Sequence, residues 1–135
     1  MTIHFAVNYL AVVVATGAAF AIGFIWYAPP VFGKRWLAYL GRTQAELGNP
    51  GPSFALAIVA AFVNAWVLGL FATNLGAKTV NEGIALGAVA WLGFMATVSA
   101  ADHVFTKKPW GLWVINNLHS LLAQMVMAVI VTVWR

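Results

Sequence analysis

Four uninterrupted apolar stretches, at about residues 5–28, 54–73, 84–101 and 110–134, leave this chain few folding options. A helix rising about 1.5 Å per residue needs roughly 20 apolar residues to cross about 30 Å of hydrocarbon. In lipid a backbone amide has no water to bond, so stretches of this length are read as helices. The strict alternation that would mark barrel strands is missing. The expected fold is therefore an all-α membrane protein, a single integral domain over residues 1–135. It is a four-transmembrane-helix bundle with a short interfacial helix between helices 1 and 2.

The connections fit that plan. Pro29 and Pro30 should end the first span, because proline lacks an N–H and restricts the residue before it. Val31, Phe32, Trp36, Leu37, Tyr39 and Leu40, interspersed with Lys34 and Arg35, suggest a helix lying in the membrane interface, stopped by Gly41. Thr43-Gln44-Ala45-Glu46 has capping-box spacing, and Asn49-Pro50-Gly51-Pro52 is a breaker run. Ser53 is the candidate N-cap of the second span. The remaining two links are short and favour antiparallel neighbours.

Hydrophobic residues form 63% of the chain and charged residues 7%, too little charge to cover a soluble domain of 135 residues. The net charge of +4 sits beside apolar spans, where anionic lipid head groups are its natural partner; nucleic acid is not expected. With no cysteine, thiolate chemistry and disulfides are excluded. The first apolar run lacks a basic leader and is too long for a signal peptide, so it reads as a retained span.

Lys34, Arg35, Arg42, Lys107 and Lys108 fall in the first and third connections, against Lys78 and Arg135 on the other side. The positive-inside rule then places those two connections in the cytoplasm and both termini outside. Trp26, Tyr27, Phe32, Lys34, Trp36, Trp110 and Trp113 are expected as anchors at that boundary. A faint repeat links Val31-Phe32-Gly33-Lys34-Arg35-Trp36 to Val104-Phe105-Thr106-Lys107-Lys108-Pro109-Trp110.

Small residues form stripes at helical spacing: Ala11, Ala15, Ala19 and Gly23; Ala57, Ala61, Ala65 and Gly69; Gly83 and Gly87. Membrane helices associate through close packing and hydrogen bonds, which such stripes permit. Asn8, Asn64, Asn116, Asn117, Ser120 and Gln124 lie among apolar neighbours. They serve either as interhelical hydrogen-bonding groups or as a polar seam along a solute path. Asn64 is the expected partner of Asn116 and Asn117. His119 is the one ionisable side chain well inside a span, and reads as a packing residue. His103 could approach it, but two histidines without a carboxylate make a weak metal site.

Gly23-Phe24-Ile25-Trp26-Tyr27-Ala28-Pro29, then Phe32-Gly33-Lys34 and Trp36, form a fairly specific signature. Gly87, Trp91-Leu92-Gly93-Phe94, Phe105 and Trp134-Arg135 extend it. The chain resembles an uncharacterised bacterial membrane family, domain of unknown function 1761, over nearly its whole length. The resemblance implies a four-span protein of the bacterial cytoplasmic (inner) membrane, and no activity.

No phosphate-binding loop, nucleophile elbow or His-Glu-x-x-His is present, and Glu46 and Glu82 fall on opposite sides of the expected membrane. An enzyme is not expected, nor any cofactor or metal. The leading expectation is a non-enzymatic membrane subunit that packs as a homo-oligomer or as an accessory component of a larger membrane complex. A small channel or transporter with an amide-lined path is the alternative. Lipid or pigment binding at Trp91, Trp110 and Trp113 ranks third.

Overall fold

The computed structural model describes residues 1–135, and every regular element in it is a helix. Helix α1 spans Tyr9–Trp26, a short α2 spans Lys34–Leu40, and α3 spans Gly51–Leu75. Helices α4 (Val80–Trp91) and α5 (Thr97–Thr106) are joined by the π-helical turn Leu92–Ala96, so together they form one long rod. Helix α6 spans Trp110–Val133. Four rods, α1, α3, α4–α5 and α6, are long and apolar enough to cross a membrane.

Helix α6 is the hub. Of its most apolar window 39% is buried, against 28% for α1 and 17% for each of the other two. It packs most extensively on α4 and next on α1, while α1 also packs on α3. The short link between α3 and α4 suggested a tight antiparallel pair, yet these two helices touch little. Both lean on other partners, and a groove opens between them.

Glycine explains the α4–α6 closeness. A Cβ at Gly83 would stand 2.7 Å from Val129 Cα, and one at Gly87 2.6 Å from the Gln124 carbonyl oxygen. Backbones can approach this closely only where no side chain intervenes. Ala11, Ala15 and Ala19 on α1 are likewise buried, and so are Ala65 and Gly69 on α3. Ala61 is half-buried and Ala57 exposed, so the α3 stripe is used along only part of its length.

Several local expectations need correction. The first helix begins at Tyr9 instead of residue 5, because Asn8 caps it by accepting from the Leu10 and Ala11 amides. Asn8 is thus not an amide of the helix interior. Residues before it form no regular element and are fastened by Asn74, which accepts from the His4 amide and donates to the His4 carbonyl, both at 2.9 Å. Ser53 does not cap α3; that helix already starts at Gly51 behind Pro50, with Asn49 accepting from the Gly51 amide. Thr43 accepts from the Glu46 amide, but only the short 3₁₀ turn Ala45–Leu47 follows. A reciprocal capping box stands instead at Thr79 and Glu82, opening α4.

The third rod runs Val80–Thr106, well past the expected residues 84–101, and the π-helical turn Leu92–Ala96 carries it from α4 into α5 without a break. One extra residue per turn loosens the backbone ladder. The Thr97 hydroxyl donates to the Gly93 carbonyl, and the Ser99 hydroxyl lies within bonding distance of the Met95 and Ala96 carbonyls. Side-chain hydroxyls thus serve carbonyls in the loosened stretch. The two segments of the expected repeat differ in backbone: Val31-Phe32-Gly33 lies in the π-helical turn Pro29–Gly33, whereas Val104-Phe105-Thr106 ends α5.

Candidate functional site

Two polar-aromatic clusters and one groove concentrate the chemically distinctive side chains. The first cluster is built by the end of α1. Trp26 Nε1–H donates to the Ile115 carbonyl at 3.0 Å, and the Tyr27 hydroxyl donates to Asn116 Oδ1 at 2.7 Å. Phe32 stacks on Trp26 with ring centroids 4.5 Å apart, and Trp36 meets Tyr27 edge-on at 5.3 Å. Gly33 makes the turn possible, because a Cβ there would collide with the Tyr27 and Ala28 backbone. Residues expected as separate membrane anchors therefore form one joint, tying α1 and α2 to α6.

His119 belongs to that joint. Its ring lies 5.2 Å from Tyr27 and 6.3 Å from Trp26, and Nε2 would stand 3.1 Å from a Cβ at Gly23. Gly23 thus lets the imidazole rest on the α1 backbone. Nε2 is buried without a hydrogen-bond partner. His103 is occupied elsewhere, bonded to the Ser99 carbonyl at 3.1 Å and stacked 5.7 Å from Trp110.

The second cluster joins α5 to α6. Trp113 Nε1–H donates to the Ser99 hydroxyl, whose oxygen lies 3.2 Å from Asn117 Oδ1; Asn117 Nδ2 in turn donates to the Trp113 carbonyl. Trp113 is therefore a bonded partner inside the protein, while Trp110 stays half exposed. Ser120 donates back to the Asn116 carbonyl within its own helix.

Asn64 does not meet Asn116 or Asn117. It accepts from Gln124 Nε2 at 3.1 Å, and the same nitrogen lies 2.8 Å from Met95 Sδ. The amides are thus held in separate pairs, each with its own partner from another helix or from an aromatic ring. The face shared by Asn117, Gln124 and Thr132 is buried within the bundle.

Around Gln124 lies a groove of about 460 Å³ lined by Asn64, Val67, Leu68 and Phe71 of α3, Ala90 of α4, Phe94 and Met95 of the π-helical turn, and Gln124 itself. Leu68, Ala90 and Gln124 are buried and form its floor, whereas Phe94 at the rim is 68% exposed. Phe71 and Phe94 face each other across it at 6.4 Å. A cavity lined by Asn64, Asn117 and Gln124 is what the sequence suggests for a solute path; the groove has Asn64 and Gln124 but not Asn117, and Met95 was not singled out from sequence.

The model of the family described as "Protein of unknown function (DUF1761)" matches residues 10–132, nearly the entire chain. The chain belongs to this family. Comparison with curated proteins and with solved structures returns no match. In this member of the DUF1761 family, the Trp-Tyr-x-Pro and Phe-Gly-Lys segments are the α1–α2–α6 joint described above.

Proposed function

We propose that this DUF1761 member is a non-enzymatic integral membrane subunit that packs through α3 against a second copy or a larger membrane complex. Its setting is the bacterial inner membrane, with the first and third connections cytoplasmic, both termini outside and α2 along the interface. Membrane insertion is supported by the surface: only 24 of 135 residues are buried, and Phe24, Val59, Val89, Phe94 and Val98 are among many large apolar residues left exposed. A soluble monomer rarely presents so much contiguous apolar area.

One observation carries the subunit reading. All residues from Gly51 to Ala60 are exposed, although Ala57 and Ala61 continue the same stripe whose other half, Ala65 and Gly69, is closed inside the bundle. A small-residue face that the bundle uses over only part of its length suits a further transmembrane helix. Native mass spectrometry from mild detergent tests it. The expected species is an oligomer or a co-purifying complex, disrupted by Ala57→Phe; a lone monomer contradicts the proposal.

A channel or transporter with an amide-lined path has weaker support, because Asn116 already accepts from Tyr27 and Asn117 already donates to the Trp113 carbonyl. Flux into liposomes that is lost on Asn117→Leu would revive it.

A further inference from the structure

Asn64 has only half of its amide engaged. Its Oδ1 accepts from Gln124 Nε2 in the floor of the groove between α3 and the π-helical turn. That bond commits the oxygen to the floor and leaves Nδ2, with two N–H donors, at the other end of the amide. In Asn74 and Asn117 the same nitrogen donates to the carbonyl four residues back, at Leu70 and Trp113. Asn64 Nδ2 makes no such bond, and in this half-buried residue it is not sealed from its surroundings.

Depth restricts what can meet it. Counted along α3, Asn64 is about 20 Å from Gly51 and about 17 Å from Leu75, near the middle of the span. Water is absent there, and an unmatched N–H is costly. The ester carbonyls of phospholipids stay about 15 Å away, at the edge of hydrocarbon about 30 Å thick. Charged groups are harder still to bring in. The acceptor that reaches Asn64 is therefore an uncharged carbonyl on an apolar body. The groove, at about 460 Å³, has the size of a small-molecule site. At its rim Phe94 is 68% exposed, with Phe71 6.4 Å away, so an aromatic face is open to a flat ring.

We propose that the groove binds a quinone-type molecule from within the bilayer, one carbonyl oxygen accepting from Asn64 Nδ2 and the ring lying against Phe94. The inference rests on membrane insertion and not on the oligomeric reading, so a monomer that binds the quinone separates the two.

The test uses the full chain in dodecyl maltoside micelles, whose polar groups stay at the surface. Thermal unfolding is followed with added menadione, with 2-methylnaphthalene, which lacks the carbonyls, and with 2-undecanone, which lacks the ring. The chain has no cysteine for the quinone to alkylate. A ligand that binds only the folded state raises the midpoint with concentration. At equal mole fraction in the micelle, menadione should bind about tenfold more tightly than either comparison compound. Asn64→Leu removes the donor and should erase the preference of menadione over 2-methylnaphthalene. Phe94→Ala, at an exposed rim position, should weaken both ring compounds. Should Asn64→Leu fail to fold, nuclear magnetic resonance of the Asn64 side-chain amide in the unsubstituted chain decides. Its N–H signal should move downfield with menadione and not with 2-methylnaphthalene. No stabilisation by menadione, equal stabilisation by either comparison compound, a preference that survives Asn64→Leu, or an unmoved Asn64 signal would overturn the proposal.

Discussion

The Tyr27 hydroxyl donates to Asn116 Oδ1 at 2.7 Å, joining residues 89 positions apart. This bond fastens the end of α1 to α6 just where the chain turns into α2. Tyr27→Phe keeps the ring against Trp36 and His119 but leaves the Asn116 oxygen without its donor. Interhelical bonds of this kind are worth about 0.6 kcal/mol, and up to about 1.7, in membrane bundles. Reversible unfolding in mixed micelles should show a loss of that size, and Asn116→Leu on the Tyr27→Phe background should cost less than it does alone.

The α4–α6 crossing makes a stronger prediction. Gly87→Ala places a methyl group 2.6 Å from a backbone oxygen, where the neighbour is not a flexible side chain. Overpacking of this kind typically costs about 1–3 kcal/mol. Gly17 has nothing within 4 Å of its Cβ position, so Gly17→Ala should be neutral or stabilising by up to about 1 kcal/mol through helix propensity. Thermal midpoints of the two variants, measured side by side, separate packing from propensity.

Helix starts give a third contrast. Thr79 accepts from the Glu82 amide, and the Glu82 carboxylate accepts from the Lys78 and Thr79 amides. Thr79→Ala should therefore destabilise by about 0.5–2 kcal/mol. Ser53 lies within the first turn of α3 and bonds no amide there, so Ser53→Ala should change the unfolding midpoint little.

Asn74 holds the N-terminal residues through its paired bonds to His4. Asn74→Ala removes both of these bonds without touching the buried core. Hydrogen exchange at the His4 amide should accelerate at least tenfold, with exchange in the middle of α6 unchanged.

How much of this was legible beforehand follows from scale. Four rods were readable because each is an average over some twenty residues. Asn8 misled because a capping amide beside an apolar run looks, in one dimension, like an amide inside it. Thr79-Val80-Asn81-Glu82 carries the same spacing as Thr43-Gln44-Ala45-Glu46, yet the latter is followed by Gly48 and cannot propagate. The π-helical turn Leu92–Ala96 adds one residue without altering hydropathy, so it left no trace in the apolar pattern. Which amide meets which depends on helix rotation, and helices apolar on nearly every side hide that angle. Hence Asn64 was matched to Asn116 and Asn117, while its partner is Gln124.

Side-specific labelling tests the central claim, four membrane crossings with the cationic connections on one face, most directly. The chain has no cysteine, so Arg42→Cys, Lys107→Cys and Lys78→Cys each introduce a single thiol. An impermeant maleimide applied to intact spheroplasts should label position 78 and spare 42 and 107. Inside-out vesicles should give the reverse. Positions 42 and 107 labelled from opposite faces, or all three labelled in a protein that stays in solution without detergent, would contradict the account.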